Sequence, residues 1–320
     1  MAANSSSKLV VYAALAGNLF VAITKGIAAA WTGSSSMLSE AVHSLVDTTN
    51  EVLLLYGMHR SNERADLRHP LGYGRELYFW SFIVALLIFA LGAGVSIYEG
   101  IGHVRAPEAI SDPAVNYVVL ALAFLFEGTS WYVSLREFRE VKGDLGYFEA
   151  FRRSKDPPTF MVLFEDSAAL IGIVLAGVGT FASSSLGIPV MDGVASILIG
   201  VVLVATSMLL ARESKSLLIG ERADRGLTDA IMRIAGAEPG VESANGVITT
   251  QMAPDQIVAA LSVDFANSVS ARDVEYVNVD IERKGRAERP DVVTLFVKPQ
   301  SRAAYEAAVE RHYGTDRGEK

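Results

Sequence analysis

The sequence has no cysteine. That excludes disulfides, thiolate metal sites and iron–sulfur ligation, so any metal must be held by His, carboxylates or carbonyls. Histidine is scarce too, with five residues at positions 43, 59, 69, 103 and 312. None of them stands in a His-Glu-x-x-His arrangement, so an intramembrane metalloprotease lacks its motif and no enzyme is expected. Positive charge is in deficit. A net charge of −8 argues against nucleic acid as a partner. The first residues, Met1–Ser7, show no charged n-region ahead of an apolar core and no Arg-rich amphipathic stretch, so neither a cleaved signal nor a transit peptide is expected.

Apolar residues are abundant, at 51% of the chain, and the mean hydropathy is +0.31. They are concentrated in the first two thirds, in runs long enough to cross a bilayer. Six spans are predicted, at about 8–31, 37–58, 77–100, 114–135, 160–183 and 189–211. Trp31, Tyr78, Trp80, Tyr98, Tyr117 and Tyr132 stand near span ends, where aromatic belts belong. Basic residues cluster on alternate connectors. Arg60, Arg64, Arg68 and Arg75 follow span two. Arg136, Arg139, Lys142, Arg152, Arg153 and Lys155 follow span four, and Arg212 and Lys215 follow span six. The connectors Thr32–Ser36 and Ser183–Ile188 carry none, and the remaining one carries only Arg105. The positive-inside rule then puts both termini in the cytoplasm. Within Gly143–Thr159, the aromatics Tyr147, Phe148 and Phe151 beside Arg152 and Arg153 fit either a short interfacial helix ended by Pro157-Pro158 or a loop.

After Gly220 the pattern changes. Leu227, Ile231 and Ile234 have helical spacing, and Gly246–Met252 reads as a strand. Ile257, Ala259, Leu261, Val263 and Phe265 alternate with period two. Val274, Val277 and Ile281 return to helical spacing, and Val293, Leu295 and Val297 alternate again. The order helix–strand–strand–helix–strand predicts a small α+β cytoplasmic domain, followed by a polar tail from Ser301 with a helix through Ala307. The division predicted is a transport domain at 1–215, a soluble domain at 216–315 and a tail at 316–320.

The chemistry is concentrated in span two. His43 and Asp47 lie four residues apart, so on a helix they share a face about 6 Å apart along the axis. Glu40 and Glu51 extend that face. A charged carboxylate at mid-bilayer costs about 2.5–3.5 kcal/mol, which a plain anchor has no reason to bear repeatedly. Imidazole and carboxylate at i, i+4 can grip one divalent cation. The bland alternative is a hydrogen-bonded His43 with Asp47 paired to a basic group such as Lys25. Glu165 and Asp166 stand together in span five. Being about 100° apart on a helix, one faces span two and the other a neighbour or a cavity. Glu127 lies inside span four, Asn18 and Lys25 serve packing or charge balance in span one, and Asp192 caps span six. In the turn-rich loop Asp66–Glu76, Asp66 and His69 either belong to a solvated loop or hold a second, weaker ion.

Taken together, six spans, His43-x-x-x-Asp47 on span two, the Asp166 motif on span five and His69-Pro70-Leu71-Gly72-Tyr73-Gly74-Arg75-Glu76 resemble the cation diffusion facilitator family. The resemblance covers nearly the whole chain. It implies a six-helix membrane bundle with a ferredoxin-like α+β cytoplasmic C-terminal domain, assembled as a homodimer in the cell (inner) membrane. It also implies exchange of a divalent metal, usually zinc, for protons, with no cofactor beyond the transported ion. His43 and Asp47 match the span-two ligands and Asp166 the second span-five ligand. The first span-five ligand is missing, because Val162 stands there. Glu165 is the nearest substitute, as in the zinc-transporter-nine branch, and water is the other option. Tyr73 replaces a loop His, and the soluble domain has no His before His312. Export of manganese, iron or cobalt, and a non-transporting metal sensor or scaffold, are the rival functions.

Overall fold

The computed structural model describes the backbone of residues 3–314 and the side chains of residues 15–314 apart from Val141. The tail assigned to 316–320 lies outside the described residues. The chain divides into two units between Lys215 and Ser216.

The first unit is helical. It comprises α1 (Ala3–Thr32), α2 (Ser35–Ser61), α3 (Arg75–Leu87), a π-helical turn (Ile88–Ala93), α4 (Gly94–Arg105), α5 (Pro113–Lys142), α6 (Tyr147–Arg153) and α7 (Pro157–Ser184). α8 (Val190–Ile219) begins in this unit and runs past its boundary. Five helical stretches among the described residues are long and apolar enough to cross a membrane: 15–32, 75–105, 113–140, 157–184 and 190–219. The helix containing His43 and Asp47 is not one of them. Its polar residues lower its hydropathy, yet one face of it packs against α1, α3, α4 and α7. Glu40, His43, Ser44, Thr48 and Asn50 are buried, while Leu45, Val52, Leu55 and Tyr56 are exposed along the opposite side. Such a helix is solvated by its neighbours on one face and presents hydrocarbon on the other.

Small residues set the closest approaches. A Cβ on Gly100 of α4 would come within 2.7 Å of the Gly193 carbonyl oxygen on α8, so the two backbones touch there. Ser196 of α8 ties the pair further by donating to the Ser96 carbonyl at 2.7 Å, and its Oγ also lies 2.6 Å from Ser39 Oγ on α2.

Two local expectations are corrected. Asp192 does not cap its own helix. Its carboxylate accepts from Ser34 Oγ at 2.8 Å, Ser35 N at 2.5 Å, Ser36 N at 3.3 Å and Ser36 Oγ at 2.5 Å, and so caps α2 from across the bundle. The α2 N-terminus offers free N–H groups and a positive dipole end, and no water reaches this buried carboxylate to compete. The segment 147–153 is helical, but Pro157 and Pro158 do not end it. They open α7, where the first-turn N–H groups need no partner within the helix. Phe151 anchors α6, with its ring centroid 5.0 Å from that of Phe160 and 4.8 Å from that of Phe164.

The second unit contains α9 (Arg225–Gly236), β1 (Val241–Ala253), β2 (Gln256–Phe265), α10 (Ala271–Glu288), β3 (Val292–Pro299) and α11 (Arg302–Tyr313). It is a small α/β domain with a three-stranded sheet in the order β1-β2-β3. β1 and β2 pair antiparallel, and α10 carries the chain across so that β3 runs parallel to β2. The period-two residues Ile257, Ala259, Leu261 and Val263 face Leu227, Ile231 and Ile281 of the two helices in one core. The terminal helix starts at Arg302 and continues six residues beyond the predicted Ala307. Its Tyr305 lies directly over Gly246 of β1, where any side chain would overlap the phenol.

Removal of the Asp192 carboxylate leaves the first N–H groups of α2 unpaired in a dry environment. Asp192→Ala is expected to destabilise the protein by on the order of 2–4 kcal/mol, with Asp192→Asn costing about half as much. Thermal unfolding in detergent, followed by circular dichroism, measures this. An unshifted midpoint in the Ala variant would show that the cap contributes nothing.

Candidate metal centre

The centre is built on one face of α2. His43 Nδ1 stands 3.4 Å from Asp47 Oδ1, one helical turn on. The imidazole is 1% exposed, and neither of its nitrogens makes a hydrogen bond; Asp47 Oδ1 makes none either. The approach between the two rings them together without the alignment a hydrogen bond needs. Buried polar atoms are nearly always paired, so three orphans within one turn require a reason.

The polar side chains around them are engaged. Lys25 of α1 donates to Glu40 at 3.0 Å and to Ser44 at 2.8 Å. Asn18 of α1 donates to Glu51. Asn50 of α2 donates to Glu165 of α7 at 3.3 Å. Ser130 and Ser134 of α5 donate to Asp166 at 2.9 and 3.3 Å.

Glu165 and Asp166 therefore diverge as adjacent helical residues should, Glu165 toward α2 and Asp166 toward α5. Both still reach one small cavity. Its wall is formed by Asn18, Ser44, Asp47, Glu51, Glu127, Val162, Glu165 and Asp166, and its volume is about 20 Å³. That is room for one water-sized particle. His43 is not on this wall and meets it through Asp47. Among the described residues, no three His, Asp or Glu side chains converge closely enough to hold an ion at once. The four predicted residues are thus neighbours in two pairs, one on α2 and one on α7, and do not form a closed shell. Val162 lies on the same wall one turn before Asp166, with an apolar side chain where a ligand would complete the symmetry of the pairs.

Several contributors escaped the sequence reading. Ser130 and Ser134 are spaced i, i+4 on α5, and Asn50 lies on the His43 face of α2; their spacing was legible, but not what they would meet. Lys25 is the counter-ion expected of it, with Glu40 as its partner, so the bland alternative of a Lys25–Asp47 pair is not what the fold forms.

The loop between α2 and α3 gives Asp66 a different task. One carboxylate oxygen accepts from the Arg68 and His69 amides at 2.8 and 2.6 Å, and the other from the Tyr73 hydroxyl at 2.8 Å. The His69 and Tyr73 rings lie 4.2 Å apart. Both oxygens staple the loop, which favours the solvated-loop reading. The His69 amide, then the Tyr73 hydroxyl, hold the Asp66 carboxyl below its ordinary range.

Residues 11–219 match the cation efflux transmembrane domain family. The mitochondrial proton-coupled zinc antiporter SLC30A9 of Xenopus laevis is 33% identical over 261 residues, covering 80% of this chain and 46% of that protein. Metal tolerance protein C4 of Arabidopsis thaliana is 28% identical over 81% of this chain and 56% of its own length. The cation-efflux pump FieF of Serratia proteamaculans is 26% identical over 79% of this chain and 80% of its own length. The chain spans about half the length of the antiporter relatives it matches.

A lowered carboxyl pKa fixes the pH behaviour of the loop. The staple is fully present above the ordinary carboxylate range near pH ~4, and is lost as pH falls through the lowered value. Asp66→Ala is expected to speed exchange of the Arg68 and His69 amides at neutral pH, measured by hydrogen exchange against wild type. In the variant the acid-induced loosening disappears. Equal exchange rates in the two proteins would exclude the staple.

Proposed function

The chain belongs to the cation efflux family, and from that premise we propose that it exports divalent metal cations, zinc foremost, in exchange for protons. The observation that carries this is the pair of buried His43 and half-buried Asp47, without hydrogen bonds from the imidazole nitrogens or Asp47 Oδ1, beside a water-sized, carboxylate-walled cavity. Ionisable groups inside a membrane protein mark ion paths unless the protein itself satisfies them.

His43 and Asp47 supply one pair of ligands, and Asp166 with Glu165 the other. Residues 1–215 form the transport domain, with α2 as a sixth crossing helix beside the five apolar ones. Residues 216–315 form a cytoplasmic, ferredoxin-like domain. Two copies assemble in the cell membrane with both termini in the cytoplasm. The separation of the ligands into an α2 pair and an α7 pair suits alternating access. A shift of α7 against α2 would close the pairs on a cation facing one side and part them facing the other.

Protons enter through the ligands themselves. A cation needs a neutral imidazole and ionised carboxylates, so loading releases protons, and protons arriving on the far side expel the cation. Cargo affinity must therefore tighten as pH rises through the titration of the ligands. One imidazole with carboxylates suits zinc, and also manganese, iron and cobalt. The zinc antiporter relatives support zinc, and the efflux-pump relatives support a broader range of cargo.

Flux in proteoliposomes tests the proposal. Zinc efflux driven by an inward proton gradient is expected, and an ionophore that dissipates the gradient should slow it. Competition among zinc, manganese, iron and cobalt identifies the cargo. Asp47→Ala and Asp166→Ala should each abolish flux. Glu165→Gln should match them if Glu165 binds directly, and fall short of them if water is the fourth ligand. His43→Asp should shift the pH profile to more acidic values and admit manganese more readily. Near-normal transport by Asp166→Ala would refute the site. Metal binding without flux would leave a sensor or scaffold, and flux indifferent to the proton gradient would leave a facilitated-diffusion carrier.

A further inference from the structure

Lys25 of α1 is completely buried. Its ammonium is held by Glu40 and Ser44 of α2 at 3.0 and 2.8 Å, and Glu127 Oε1 of α5 stands 3.9 Å away. The two carboxylates are in different surroundings. Glu40 lies off the cavity wall, pressed against α7 at Gly172, where a Cβ would overlap its Oε1. It neutralises Lys25 one for one. Glu127 is on the wall, together with Asp47, Glu51, Glu165 and Asp166. It has a fixed ammonium on one side and the cavity on the other. Ser44 also touches both, as a wall residue that accepts from Lys25.

Five carboxylates line this cavity of about 20 Å³, and a helix shift that drew them onto one divalent cation together would grip it too firmly for a carrier that must let it go. They would also repel one another when the cavity holds none. An ammonium tethered behind one of them answers both problems. We propose that Lys25 is a built-in counter-cation that sets cargo affinity by competing with the metal for Glu127. It is a positioning residue, acting through Glu127 without touching the cargo, and it rests on the reading of this cavity as the metal path. With no cargo present, Lys25 steadies Glu127 and lowers repulsion along the wall. When a divalent cation arrives, the like charge of Lys25 opposes it and restrains Glu127 from closing on it. The bound state is thereby kept shallow enough to release.

Lys25→Met alone leaves Glu40 as an unpaired buried charge and endangers folding. The informative variant is Lys25→Met with Glu40→Gln, which removes both charges of the pair together. Equilibrium binding of radiolabelled zinc to the purified full chain, with flux in proteoliposomes, gives affinity and turnover separately. The double variant is expected to bind zinc on the order of ten-fold tighter, with KM and maximal rate both falling. Adding Glu127→Gln should return the affinity to within about two-fold of wild type, because the two effects meet at one carboxylate. Wild-type affinity in the double variant makes Lys25 a structural partner of Glu40 only, and tightening that survives Glu127→Gln shows that Lys25 does not act through Glu127; either result overturns the proposal.

Glu127→Gln in the otherwise wild-type chain supplies a check that does not depend on the double variant folding. It should change zinc affinity by less than about three-fold, since Lys25 already restrains this carboxylate. A greater loss makes Glu127 a full ligand and overturns the proposal. These failures leave wild-type zinc flux intact. A wild-type protein that neither binds nor moves zinc overturns the metal-transport reading, and this proposal with it.

Discussion

The cost of holding charge away from water governs this molecule. α2 carries Glu40, His43, Asp47 and Glu51 within about three turns, more than hydrocarbon would tolerate on an isolated helix. It is tolerated because neighbouring helices cover its polar face and supply the partners that water would have supplied. Lys25 answers Glu40, and Asn18 answers Glu51. Across α7, Asn50 answers Glu165, and the α5 hydroxyls answer Asp166. The polar face of α2 is turned toward α1, α3, α4 and α7, and its apolar side is exposed.

The same demand fixes α2 along its length. Asp192 holds its N-terminus, Ser39 and Ser196 join it to α8 one turn further on, and the ion pair with α1 lies between this junction and His43. A helix restrained at several points by hydrogen bonds in a dry interior moves as a body if it moves at all, because each bond broken without a substitute costs about 1–3 kcal/mol. His43 and Asp47 are the exception on this face. They pack without bonding, so rearranging them breaks no hydrogen bond.

The second unit follows different rules. Its core is a period-two strand against two amphipathic helices, and its polar residues are mostly exposed. Here solvated carboxylates such as Asp280 make exposed ion pairs with Arg283 and Lys284 that contribute little to stability. Asp273 closes a capping box with Ser270, and hydrogen bonds from Ser270 hold its carboxyl below the ordinary range. The contrast between the units is one of burial: charged side chains are buried inside the first and mostly exposed in the second. The same residue types that determine the architecture of the first are incidental decoration in the second.

The sequence by itself determined every property that depends on spacing along one chain. Helical extent, the alternation of Ile257 through Val263, the shared face of His43 and Asp47 and the divergence of Glu165 from Asp166 all follow from 3.6- and 2-residue periods. The location of charge in apolar runs was equally legible, and with it the membrane character and the candidate centre. Only the tertiary structure decided which group meets which across the bundle. Asp192 reads as a cap for its own helix, yet it serves a helix more than 150 residues away in the chain. Lys25 reads as a counter-ion with no partner specified, and the fold seats it with Glu40, about two turns before Asp47 on the same helix. Spacing fixes the face on which a side chain lies but not the depth at which a neighbouring helix presents its own. In a low-dielectric interior that depth selects the partner, because unit charges interact strongly over a few ångströms and a buried one cannot turn to water instead.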